Sequence, residues 1–244
     1  MTRLSWPRRV ALATLAAVFL GIPAALGGTV PTEARQPFSM DLYRAGDFVS
    51  QTNLVQCVGA SVQMMQNVGA SRDDRSASTQ RRYWAMARRL SPPRPPGWPK
   101  RRGASVHGWA AALRRLDVGP YTVLGYPTMQ QALQAAAKSM RQSGKPVGLL
   151  VWAGRHAWVM TGFQATADPL TSPNARITHV DVLDPLYPRG ATSWGRSPRP
   201  GERLTVERLS QYFVRRSSSW SASPYSARWV IVATTALKPD PRML

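Results

Sequence analysis

The chain contains a single cysteine, Cys57, within the run Gln51-Thr-Asn-Leu-Val-Gln-Cys57-Val-Gly-Ala-Ser-Val-Gln-Met-Met. A thiol attacks a carbonyl carbon only as the thiolate, and the peptide dipoles at a helix N-terminus, helped by a neighbouring imidazolium, favour that form. Cys57 stands one residue ahead of an apolar stripe at helical spacing, Val58, Val62 and Met65, so those dipoles converge on it. Its own backbone N–H can serve one hydrogen bond to a developing oxyanion. The side-chain amide of Gln51 supplies the second donor if the six-residue approach folds back beside the sulfur. Gln56 is the competing donor, but a residue next to the nucleophile points elsewhere.

Three histidines are available as a base. His156 opens the apolar run His156-Ala-Trp-Val-Met, and Gly154 two residues earlier leaves room for close approach of the thiol. His179 falls on the Asp181 side of its strand and reads as solvent-facing, and His107 falls on the polar shoulder of a helix. His156 is therefore the expected general base and acid. Asp184 shares the parity of Val180 and Val182, and Pro185 ends the strand there. Its carboxylate is thus left at the inward tip, where it can accept from the imidazole and fix its tautomer. Asp181, on the opposite face, is the weaker candidate. With one cysteine, dispersed histidines and no HExxH pair, neither a metal nor another cofactor is expected. Phosphate-loop, dinucleotide and serine-elbow motifs are also absent from the sequence.

The elements that must hold these groups divide the chain in two. Helices are expected over 58–67, with Gly69 as its stop, then 79–90, 105–116 capped by Ser105, and 128–142 capped by Thr128. The proline-rich stretch 91–103 reads as a surface loop. Beyond Gly144-Lys145-Pro146, strands are expected over 147–152, 156–164, 176–184 and 229–234, with a helix over 205–214 and a short strand over 121–124. Helices first and antiparallel strands second is an α+β layout.

Residues 2–9 carry three arginines and no acid, and an apolar run follows to Leu26, so 1–28 reads as a signal peptide or N-terminal membrane anchor. Residues 29–44 read as an extended lead-in, 45–235 as the folded domain and 236–244 as a tail. The protein is then expected outside the cytoplasm, touching a membrane only through an uncleaved leader. A lone thiol there is chemically employed or intermolecular. The formal charge is +20, almost all of it arginine. Because the arginines are scattered and no nucleic-acid motif accompanies them, they read first as a solvated surface. Anionic cell-envelope polymers are a possible partner, and nucleic acid is not expected.

Taken together, Gln51-x5-Cys57, Gly-Arg-His156-Ala-Trp-Val-Met-Thr-Gly162 and Val-Leu-Asp184-Pro185 resemble the bacterial C39-like cysteine peptidases of the papain-like superfamily. The resemblance implies a papain-like α+β fold, N-terminal helices packed on an antiparallel sheet. It also implies Cys57 as nucleophile, His156 as base, Asp184 as orienting acid and Gln51 as oxyanion donor, acting on a peptide or protein substrate. The nucleophile here is flanked by Gln56 and Val58, with Gly59 one place further on, where many members have Asp-Cys-Gly. Two other functions fit the same residues. One is a non-catalytic binding module using its cleft and Trp98, Trp152, Trp158 and Trp194; the other is a thiol acyltransferase in which an amine replaces water.

Overall fold

The computed structural model describes residues 36–94, 96–97, 100–217 and 224–235. Residues 1–28 and 236–244 lie outside them, as do residues 29–35 of the lead-in and Trp98. In chain order the elements are β1 (Phe38–Asp41), α1 (Cys57–Ala70), α2 (Ala77–Arg89), α3 (Val106–Arg115), β2 (Tyr121–Tyr126), α4 (Met129–Ser143), β3 (Val147–Val151) and β4 (His156–Ala165). They continue with β5 (Ile177–Leu183), β6 (Gly190–Ala191), β7 (Gly195–Arg196), β8 (Glu202–Thr205), α5 (Val206–Ser210) and β9 (Trp229–Thr234). Among these residues no helix is long and apolar enough to cross a membrane.

One antiparallel seven-stranded sheet organises the chain, in the order β2-β9-β3-β4-β5-β8. β4 is the long strand: β3 pairs with its first half, and β1 continues along the same edge from Gly162 to Ala165. Each strand divides its side chains between two cores, as alternation requires. Leu150, Ala157, Val159, Val230 and Val232 face α1, α2 and α3. Leu149, Trp158, Met160, Ile231 and Ala233 face α4 and the segment around Tyr212 and Phe213. The layout is α+β as expected, but the helices are not all on one side. α4 crosses to the other face because its stripe of Ala132, Leu133, Ala136 and Met140 matches the alternate parity of the strands.

Two of the side-chain caps are the expected ones, whereas α2 is capped by Ser76 and starts at Ala77, two residues before the expected Thr79. Ser105 Oγ accepts from Gly108 N and Thr128 Oγ1 from Gln131 N, starting α3 and α4 at the expected residues. Three further expectations are corrected. α1 runs past Gly69 to Ala70 and stops on Ser71 in the left-handed conformation. The helix expected over 205–214 is only the five residues of α5, and β8, which pairs with β5, precedes it. Finally, the Asp181 face of β5 is not open: Asp181 is 1% exposed and takes a bidentate hydrogen bond from Arg203 at 2.8 and 3.0 Å, while His179 is half-buried.

Candidate active site

Cys57 is the first residue of α1, and its thiol is partly exposed where the helix N-terminus meets the sheet. Gln56 closes the N-terminal side without capping it: its Oε1 accepts from Thr52 Oγ1 at 2.6 Å. The first N–H groups of α1 are thus left to whatever sits beside Cys57. α1 is fixed to the sheet by Ser61, whose hydroxyl donates to the Ala157 carbonyl at 3.3 Å, one residue beyond His156.

His156 is the first residue of β4, directly across from Val151 at the end of β3. The reversal between them passes through Trp152, Ala153 and Gly154, all with positive φ (56°, 54° and 94°). Two non-glycine residues in the left-handed region cost roughly 1–3 kcal/mol each, so the surrounding contacts must hold them there. Trp152 N donates to the Tyr212 carbonyl at 2.9 Å, and Ser217 N to that of Ala153 at 3.1 Å. The turn lays the Trp152 ring against the imidazole, with centroids 4.1 Å apart and planes 23° from parallel, and Trp194 stacks on Trp152 in turn.

Asp184 lies one residue beyond β5 and is fully buried. Its Oδ1 is 2.7 Å from His156 Nε2 and also accepts from Leu186 N at 2.8 Å, which locks the carboxylate on the strand tip. Its Oδ2 has no hydrogen-bond partner among the described residues. Nε2 is held by Asp184, and the same imidazole interacts with Cys57, with which it shares the cleft. Burial draws the imidazole pKa down, but its hydrogen bonds and charge interactions with Asp184 and Cys57 outweigh it, and the pKa stands at about 9. At neutral pH the ring is an imidazolium held between a carboxylate and a sulfur.

Three of the four expected site residues are therefore together: Cys57, His156 and Asp184. Gln51 is placed differently. It is 3% exposed but does not line the cleft at Cys57, and its Nε2 donates to the Asn53 carbonyl at 2.8 Å. Its backbone is tied to the loop that follows Asp184, since Gln51 N donates to the Pro185 carbonyl and Arg189 Nη2 donates to the Gln51 carbonyl, both at 2.7 Å. Asp181 is occupied by Arg203. His107 packs on the Tyr225 ring, with centroids 5.5 Å apart, and lines a separate cavity.

Two positioning features had no sequence signal. Gln80, on α2, is 1% exposed and clamps the approach loop: its Oε1 accepts from Thr52 N at 2.8 Å and its Nε2 donates to the Ser50 carbonyl at 3.0 Å. The proline-rich loop, read as mere surface, forms part of the site. A cleft of about 290 Å³ over Cys57 and His156 is bounded by Arg94 and by residues 101–106 as well as by the 154–157 turn. Of the tryptophans assigned to a binding surface, Trp158 is fully buried in the α4 core and faces no ligand.

Comparison with family models, with curated proteins and with solved structures found no match to this chain.

Proposed function

We propose that the protein is an exported thiol hydrolase that cleaves a peptide or other amide bond through a thioester on Cys57, within a papain-like arrangement of helix and sheet. The observation that carries this reading is the buried pair in which Asp184 holds His156 Nε2 at 2.7 Å while the imidazole shares one cleft, and an interaction, with the only thiol in the chain. The basic and apolar leader supports export.

In the proposed reaction the Cys57 sulfur attacks the amide carbon, and the carbonyl oxygen becomes an oxyanion. The Cys57 backbone N–H is the donor assigned to that oxygen; Gln51, whose Nε2 donates to the Asn53 carbonyl away from the cleft, would have to turn toward the sulfur to add a second. As the tetrahedral intermediate collapses, the C–N bond breaks and His156 gives its proton to the departing amine. The neutral imidazole then takes a proton from water, whose oxygen attacks the thioester. The C–S bond breaks, the acid leaves and the imidazolium–thiolate pair is restored. Asp184 keeps the ring in the orientation that serves both transfers.

Peptide-library turnover and iodoacetamide labelling of the full chain at pH 7 test the reading. Cys57 is expected to label at least tenfold faster than an ordinary unactivated thiol. Cys57→Ala is expected to abolish cleavage while shifting the thermal midpoint by no more than about 4 °C, the size of a 1 kcal/mol change. Slow labelling together with cleavage that survives Cys57→Ala would exclude the mechanism.

A further inference from the structure

Arginine makes up 28 of the 244 residues, about one in nine, yet it supplies five of the seventeen described residues that line the cleft over Cys57, and none of the seventeen is an aspartate or glutamate. The five, Arg94, Arg101, Arg102, Arg155 and Arg216, come from three parts of the chain: the proline-rich loop, the turn before β4 and the segment after α5. A general arginine excess spread over a solvated surface does not gather in this way. Arg102 and Arg155 are exposed at the rim, while Arg94, Arg101 and Arg216 are half-buried. Burial, and then the nearby Arg94 charge, hold the Arg101 guanidinium below its usual range; burial, and then Arg101, do the same to Arg216. Cations that repel one another in a partly dehydrated cleft raise the energy of the empty site, and an anion that enters lowers it.

The floor between them is apolar, formed by Val58, Val106, Leu150 and Ala157. Cys57 and His156 complete it, and their chemistry requires an acyl carbon. A cleft of about 290 Å³ takes a short stretch of chain, not a folded surface. Guanidinium forks match carboxylates in bidentate geometry. We propose that the ligand of this cleft is an acidic peptide, its carboxylates held by the arginine rim and a small apolar residue resting on the floor beside Cys57. The inference deepens the hydrolase reading and rests on it for the acyl carbon.

The test separates binding from turnover. Labelled octapeptides with glutamates, glutamines or lysines flanking an alanine pair are titrated against full-length Cys57→Ala, with an inorganic polyphosphate chain as competitor. The glutamate peptide is expected to bind at least tenfold more tightly than the glutamine one, with the advantage shrinking at least fivefold between 50 and 300 mM NaCl. Arg102→Glu/Arg155→Glu, both at the exposed rim, is expected to erase or invert the preference. Arg115→Glu/Arg176→Glu makes the same change of net charge at exposed positions outside the cleft and is expected to keep it. Wild-type kcat/KM should follow the same order. Equal binding of the glutamate and glutamine peptides, loss of the preference in both double variants alike, or polyphosphate displacing the peptide at equal charge would each overturn the proposal. Turnover without charge preference sinks this inference and spares the hydrolase. Arginine-dependent binding without any turnover or fast labelling does the reverse.

Discussion

At the level of single residues the site depends on which protonation state His156 holds. Its pKa of about 9 keeps it charged at neutral pH, and in the proposed reaction that proton is the one the leaving amine receives. Activity is therefore expected to fall as pH rises through about 9, where the imidazolium is lost. Asp184 raises that pKa, so Asp184→Asn, which keeps the shape and removes the charge, is expected to move the alkaline limb of kcat/KM to lower pH. Asp184→Ala removes the hydrogen bond as well and is expected to lose more of kcat, on the order of 10²-fold or greater. The same shift affects stability. The folded pKa lies above the ordinary value of 6.5, so the contribution is complete below pH 6.5 and disappears as pH rises through about 9. Urea midpoints at pH 6, 8 and 10 should show a decline steeper in the wild type than in Asp184→Asn. Parallel declines would mean that His156 and Asp184 are not coupled as the 2.7 Å contact requires.

At the level of elements, the position of Cys57 is set by how closely α1 lies on α2. Gly59, two residues into the helix, is the point of contact: a Cβ there would meet Trp84 Cβ at 2.7 Å and the Gln80 carbonyl oxygen at 2.8 Å. Alanine gains about 1 kcal/mol of helix propensity over glycine. Overpacking costs about 1–3 kcal/mol, and neither atom in the way is the tip of a flexible side chain. Gly59→Ala is therefore expected to be a net loss of up to about 2 kcal/mol in urea unfolding, with kcat reduced more than KM changes, because the displaced helix carries the sulfur. A rise in stability would show that the helices separate freely. The same contact explains what the sequence could reveal. Cys57, His156 and Asp184 were legible because residue type, strand parity and a helix start are local properties, as were the Ser105 and Thr128 caps. Gln80 was not, because its value lies in reaching Ser50 and Thr52 from another helix. β1 and β8 are four residues each and exist through pairing with β4 and β5. α4 carried a visible stripe, but nothing local said which face of the sheet would receive it. The role of Arg101 and Arg102 was hidden for the same reason: a proline-rich loop reads as surface until the partner wall is known.

At the level of the whole molecule, 32 basic side chains face only 12 acidic ones. Most cations therefore cannot have an acidic partner, and the ion pairs among the described residues use acids that are already buried, such as Asp47, Asp181 and Asp184, or are exposed and weak, such as Arg75 with Asp73. Self-repulsion of so large a net charge opposes the folded state, and salt relieves it. The cleft responds to the same screening in the opposite sense, since it would use the repulsion to attract a ligand. Raising NaCl from 20 to 300 mM is expected to increase the thermal midpoint, by about 2–4 °C for each 1 kcal/mol of repulsion removed from a domain of this size. Over the same range kcat/KM for a glutamate-flanked peptide should fall at least tenfold while that for the glutamine peptide stays within about twofold. Arg115→Glu/Arg176→Glu should flatten the first trend and leave the second, whereas Arg102→Glu/Arg155→Glu should flatten both. If stability fell with salt, the few ion pairs would outweigh the excess charge. If the two double variants behaved alike, the positive charge would act as a uniform coat around the molecule, with no focus at the cleft.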